Sequence, residues 1–198
     1  DFIAGAGEVY AQNGYDMLLS VVPDDSVEAA YRDLKSRGAV DGVIIQAPRA
    51  DETRIPTLLQ MGLPFVSHGR ASKVEQDYSW VDVNNRRAFL RATEFLLDLG
   101  HRRVGLVNGI EHMDFAIRRR AGYVEALTAR SIPIDAALMT SEDMTEHSGF
   151  RAASRLLQSA DPPTAFLAAS MLSGMGVRRA LEARGLKMGR DVSVIIFD

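Results

Sequence analysis

Short apolar runs alternate with helical patterns along the whole chain, and this alternation limits the fold more than any other feature. Asp16–Val22, Gly42–Ala47, Pro64–His68, 103–108, 137–140, 164–169 and 192–197 are rich in Val, Ile, Leu and Ala and show no inside–outside alternation. Runs of that kind suit strands covered by helices on both faces of a parallel sheet. Trp80–Val83 reads as a further short strand. Helices are expected over 2–13, 27–37, 51–61, 85–99, 115–129, 145–159 and 173–184. Asp and Ser stand at several starts, and Gly14, Gly38, Gly62 and Gly100 follow the ends. In the helix over 85–99, Phe89, Ala92, Phe95, Leu96 and Leu99 are expected to share the buried face.

The βα pattern restarts near Asn84-Asn85, which predicts two doubly wound parallel lobes, 1–84 and 85–198. Open sheets of this type bind ligands at the carboxyl ends of their strands, here facing an interlobe cleft. With 198 residues, 46% of them hydrophobic and 25% charged, the chain can bury a core. Its net charge of −3 argues against these residues gripping DNA themselves. The absence of cysteine excludes disulfides, thiolate catalysis and Cys-ligated metals. No apolar run has the length of a membrane span, and 1–7 lacks the basic start of a signal peptide. The chain opens without Met and stops directly after an apolar run, so a piece of a longer protein is expected.

Catalytic motifs are weak. Gly5-Ala6-Gly7 lacks a third glycine and a preceding strand, which argues against a dinucleotide site. Ser148 and Ser173 sit beside glycines without nucleophile-elbow context and read as polar helix positions. The four histidines show no i, i+4 pair, so no helix presents a two-histidine metal face. His101 reads as a helix-end group that satisfies carbonyls or is favoured by the helix dipole. His68 ends a buried strand, where a ligand contact and a satisfied core histidine are equally open. Of Arg118-Arg119-Arg120, at most one or two can enter a cleft, since consecutive helix positions diverge. Arg119, three residues before Gly122, could fork two hydrogen bonds to vicinal oxygens. Gly122 is expected to allow close packing on the sheet. Asp198, at the end of the last strand, could accept from hydroxyls or merely close an Asx turn.

In order and spacing, the motifs resemble the ligand-binding domain of lactose/galactose-repressor-type bacterial regulators over essentially the whole chain. They are Val81-Asp82-Val83-Asn84-Asn85, Phe95-Leu96-Leu97-Asp98-Leu99-Gly100-His101-Arg102-Arg103-Val104-Gly105, Arg119-Arg120-Ala121-Gly122-Tyr123, Ser148-Gly149-Phe150 through Leu157, and Asp191-Val192-Ser193-Val194-Ile195-Ile196-Phe197-Asp198. The resemblance implies a periplasmic-binding-protein-like fold, truncated at both ends, with a small effector, usually a sugar, between the lobes. Effector-contacting positions of the family fall on His68, Phe115, Arg119, Met144, Ser170 and Asp198, with Arg70 a weaker candidate. Two departures stand out. Ser170-Met171 replace the family's Asn-Asp, and Asn84 replaces its usual aspartate. The resemblance further implies a cytoplasmic homodimer that reaches operator DNA through a helix-turn-helix outside this chain, with no cofactor, metal, membrane contact or catalysis. A periplasmic sugar-binding protein of a transporter shares the fold and is the runner-up. A sugar-processing enzyme would need paired carboxylates, of which only Asp198 looks well placed.

Overall fold

A computed structural model describes residues 2–198. In chain order the elements are α1 (Phe2–Gln12), α2 (Val27–Ser36), β1 (Val43–Gln46), α3 (Arg54–Met61), β2 (Phe65–His68), β3 (Trp80–Val81), α4 (Asn85–Asp98) and β4 (Val104–Asn108). They continue with α5 (Asp114–Ala129), β5 (Met139–Ser141), α6 (Glu146–Leu156), β6 (Ala165–Ala168), α7 (Met171–Glu182) and β7 (Ser193–Ile196). Two parallel sheets result, of order β1-β2-β3 and β5-β4-β6-β7.

The second sheet is doubly wound. From β4 the chain moves outward to β5, then returns past β4 to β6 and β7. Successive side chains of β4 and β6 serve opposite faces, and both faces are apolar. Val104, Leu106, Ala165 and Leu167 join Phe89, Leu96 and Tyr123 in one core. Val107, Phe166 and Ala168 join Ala152, Leu156 and Val177 in the other. This is why the strands read as unbroken apolar runs. Each large apolar side chain buried here stabilises the fold by about 1.5–3 kcal/mol.

Two glycine contacts set how closely the covering helices approach. A Cβ on Gly122 would lie 2.0 Å from the Arg86 carbonyl oxygen of α4, and one on Gly176 would lie 2.2 Å from that of Glu146 in α6. Gly122 therefore admits a neighbouring helix rather than the sheet. The buried residues of α4 also differ from the expected stripe. They include Phe89, Thr93, Leu96 and Leu97, whereas Phe95 and Leu99 face solvent.

The run Asp16–Val22 does not form the expected strand; Leu18, Leu19 and Val21 are exposed. An extended segment becomes a strand only beside a backbone that accepts and donates to it, and no such neighbour pairs with it among the described residues. In the first lobe Ile45, Ile55, Leu58 and Leu63 form a smaller core. Asp51 does not cap α3, whose N-cap is Thr53. Buried Glu52 instead organises this loop, accepting from the Arg49 and Arg54 backbone N–H groups and from the Arg54 guanidinium. Burial pushes its carboxyl up, but these donors outweigh burial and hold it below the ordinary range.

His101 is not a carbonyl-capping group. Its two ring nitrogens lie 2.8 Å from the Thr164 hydroxyl and 2.9 Å from that of Ser193, tying the entry of β4 to those of β6 and β7. Arg103 pairs with Asp135 and Asp161 at the same end of the sheet.

Candidate functional site

The carboxyl ends of β1, β2, β3, β6 and β7, with the first turns of α5, converge on a cavity of about 380 Å³. In the second sheet this lies at the switch between β4 and β6, where chain direction across the sheet reverses and two loops part. His68, Phe115, Arg119, Met144, Ser170 and Asp198 all line this one space, as does Arg70. Gln46, Pro48, Asp82, Asn85 and Phe197 line it as well, and sequence reasoning did not select them.

Arg119 is the most constrained polar group there. It is only 6% exposed. Its Nε donates to Asn85 Oδ1 at 2.7 Å and its Nη1 to the Ala169 carbonyl at 2.6 Å. The guanidinium lies 4.0, 4.8 and 5.2 Å from the ring centroids of Phe197, Phe115 and Phe89. Burial lowers its pKa from the ordinary guanidinium range to about 10, with Asp82 acting in the opposite sense. A guanidinium carries five N–H donors, so part of the fork remains for a ligand. The neighbouring arginines are otherwise engaged: Arg118 pairs with Asp114 and Arg120 with Glu111.

The segment linking the lobes supplies a second polar group. Asn84 caps α4 by accepting from the Arg87 N–H, as a short amide at that position should. Asn85, 2% exposed, donates through Nδ2 to Asp82 Oδ1 at 3.0 Å and to the Val83 carbonyl at 3.2 Å. Asp82 also meets Arg70 Nε at 3.4 Å, and Arg70 lies over the Trp80 ring. The chain of contacts Arg70–Asp82–Asn85–Arg119 thus runs from the first lobe into the second.

His68 stacks on Phe2 with centroids 4.3 Å apart, and its buried Nδ1 has no hydrogen-bond partner among the described residues. That nitrogen can be satisfied by a ligand or by water. The Ser170 hydroxyl accepts from the Ser173 N–H and donates to the Ser173 hydroxyl, capping α7, so it has only acceptor capacity left. Ser148 and Ser173 occupy helix positions beside the capping hydroxyls of Thr145 and Ser170.

One side of the cleft is closed by a clasp. Arg49 and Met113 form an antiparallel bridge, with Asp114 N–H donating to the Pro48 carbonyl and Ala50 N–H to that of His112. The Asp114 carboxylate, 1% exposed, accepts from the Ser72 N–H at 2.9 Å.

A cleft between two parallel α/β lobes, walled by aromatic rings and thioethers and carrying a few convergent polar groups, defines a two-lobed small-molecule-binding domain. The chain belongs to the family described as periplasmic binding proteins and sugar binding domain of LacI family, whose model matches residues 1–198. It is 39% identical over 198 residues to the HTH-type transcriptional regulator AglR of Rhizobium meliloti (strain 1021), covering 100% of this chain and 56% of that protein. It is 31% identical over 197 residues to the HTH-type transcriptional regulator CelR of Thermobifida fusca, covering 99% of this chain and 58% of that one. The chain therefore spans somewhat more than half the length of these relatives. Among solved structures, a regulatory protein of LacI family from Chloroflexus aggregans superposes with a TM-score of 0.88 at 28% identity, covering 100% of this chain and 71% of that one. A transcriptional regulator CelR–cellobiose complex gives 0.88 at 31% identity, covering 99% and 60%. No helix among the described residues is long and apolar enough to cross a membrane.

Proposed function

We propose that this chain is the effector-binding part of a LacI-type transcriptional regulator, and that its effector is a small sugar held between a lobe of residues 1–84 and a lobe of residues 85–198. The observation that carries this reading is Arg119. It is a buried cation with an incompletely used hydrogen-bonding fork, ringed by phenylalanines and facing polar groups of the other lobe. Sugars present that combination in reverse, with apolar C–H faces for rings and hydroxyl edges for forks and carboxylates. Asp82, Asp198 and the bare His68 nitrogen supply acceptors, while Met144 and Phe115 supply the apolar wall.

The whole protein reads operator DNA through a helix-turn-helix, acts as a cytoplasmic homodimer and catalyses nothing. The relatives' names as HTH-type regulators favour this over the transporter component. Effector binding favours one arrangement of the lobes, and coupling to DNA of about 1–3 kcal/mol follows in either direction. The test is a thermal-shift screen of this chain with neutral mono- and disaccharides, followed by operator titration of the whole protein. A sugar that raises the wild-type melting temperature but not that of Arg119→Met, and that changes operator affinity, supports the reading. No shift from any sugar removes it.

A further inference from the structure

Resting on the reading of this cavity as a sugar site, we propose that Asn85 is a specificity-determining positioning residue. Its amide keeps a carboxylate off Arg119 and so commits the cavity to an uncharged, hydroxyl-rich ligand.

The geometry admits one orientation of the amide. Two acceptors, the Asp82 carboxylate and the Val83 carbonyl, lie on its Nδ2 side, and a donor, Arg119 Nε, lies on its Oδ1 side. A flipped amide would set oxygen against carboxylate and N–H against guanidinium. Asp82 is held on its own side of Asn85, where it also meets Arg70. Among the described residues Arg119 consequently has a neutral amide and a neutral carbonyl as its acceptors, and no described carboxylate consumes the rest of its fork.

Charge bookkeeping around the cavity points the same way. Among the described residues two arginines, Arg70 and Arg119, and two aspartates, Asp82 and Asp198, line it, so their formal charges cancel. An anionic ligand would meet both aspartates without gaining a surplus of cations. A neutral polyol can use the arginine fork as donor and the carboxylates as acceptors at no charge cost. Aspartate at position 85 differs from asparagine by little in volume, yet it would bring a second carboxylate beside Asp82 and pair it with Arg119.

The experiment uses calorimetric titration with neutral mono- and disaccharides, each alongside its uronic or aldonic acid counterpart. Wild type is expected to bind at least one neutral sugar at least tenfold tighter than the matching acid. A set of deoxy analogues of that sugar then identifies the hydroxyl whose loss weakens wild type but not Arg119→Met. In Asn85→Asp, affinity for the intact sugar should fall at least tenfold and sensitivity to that hydroxyl should vanish. Asn85→Leu, which removes the acceptor without adding charge, should also lose the sensitivity. A merely structural role predicts additive losses instead, with the hydroxyl sensitivity intact in both variants, and that result overturns the proposal. So does a wild type that prefers the acids, which leaves sugar binding itself standing. Failure of both variants to fold assigns Asn85 to the fold and likewise overturns the proposal. Absence of any sugar binding by wild type removes the underlying reading as well.

Discussion

Replacing Arg119 with methionine separates recognition from stability. Lowering the guanidinium pKa from its ordinary range to about 10 corresponds to a charge-burial penalty of about 3 kcal/mol, which the variant escapes. Against this, Asn85 Oδ1 and the Ala169 carbonyl lose their donor, at about 1.5–3 kcal/mol each for hydrogen bonds from a charged group. The methionine stem keeps most of the contact with Phe89, Phe115 and Phe197. The terms nearly offset, leaving a net change within about 3 kcal/mol, or a melting shift of no more than about 10 °C for a domain of this size. Ligand-induced stabilisation, by contrast, should be lost, since the fork is gone. Differential scanning calorimetry of both proteins, with and without the sugar found by screening, measures both quantities. The sign of the pH effect is fixed too. Because the folded-state pKa is depressed, the unfolded state binds more protons in the window above about pH 10. The Arg119 contribution therefore becomes more favourable as pH rises through that window, and Arg119→Met lacks this slope. A collapse of the apo variant by well over 10 °C would refute the reasoning, because Arg119 would then be a structural cation.

Gly122→Val should destabilise by about 3 kcal/mol or more, because a Cβ 2.0 Å from the Arg86 carbonyl forces α4 and α5 apart; urea denaturation reads it, and a loss below about 1 kcal/mol contradicts the contact. Asp114→Ala removes the acceptor for the Ser72 N–H, so amide exchange at Ser72 should accelerate by about tenfold or more, and unchanged protection would show that the clasp does not depend on this carboxylate. The Asp191 carboxyl should titrate near pH 2 by NMR, because the Arg190 guanidinium and the Lys187 N–H hold its ionised form. Its folded-state pKa is depressed, so its contribution is fully present above pH 3.8 and lost as pH falls through about 2. A midpoint at the ordinary 3.8 would show that neither contact persists in solution.

Local chemistry made much of this fold legible. Apart from the start of α3, the helices lie close to where apolar spacing and their flanking caps and glycines place them, and the Asn84 cap forms as its side chain requires. The rule that ligands meet strand carboxyl ends, together with the family motifs, brought His68, Phe115, Arg119, Met144, Ser170 and Asp198 to one cavity. What stayed hidden depends on partners far along the chain. The 16–22 run has strand composition, but pairing is decided by the neighbouring backbone. His101 finds its hydrogen-bond partners 63 and 92 residues away. Gly122 is small because of α4, a neighbour that helix periodicity does not identify. Asp82 and Asn85 gain their importance from the bend between lobes, and only the adjacency of short polar residues to the crossover could have hinted at it.

That bend carries a mechanical consequence. Between the end of β3 at Val81 and the start of α4 at Asn85, the linking segment is also a wall of the cavity. Rotating one lobe against the other must turn backbone dihedrals within this segment, and those same dihedrals aim Asp82 and Asn85. A molecule held by Asp82 and by Arg119, which Asn85 orients, therefore bears on the pivot itself rather than on a distant surface. On the proposed reading, occupancy would act on lobe angle at the joint itself, without a relay through either core.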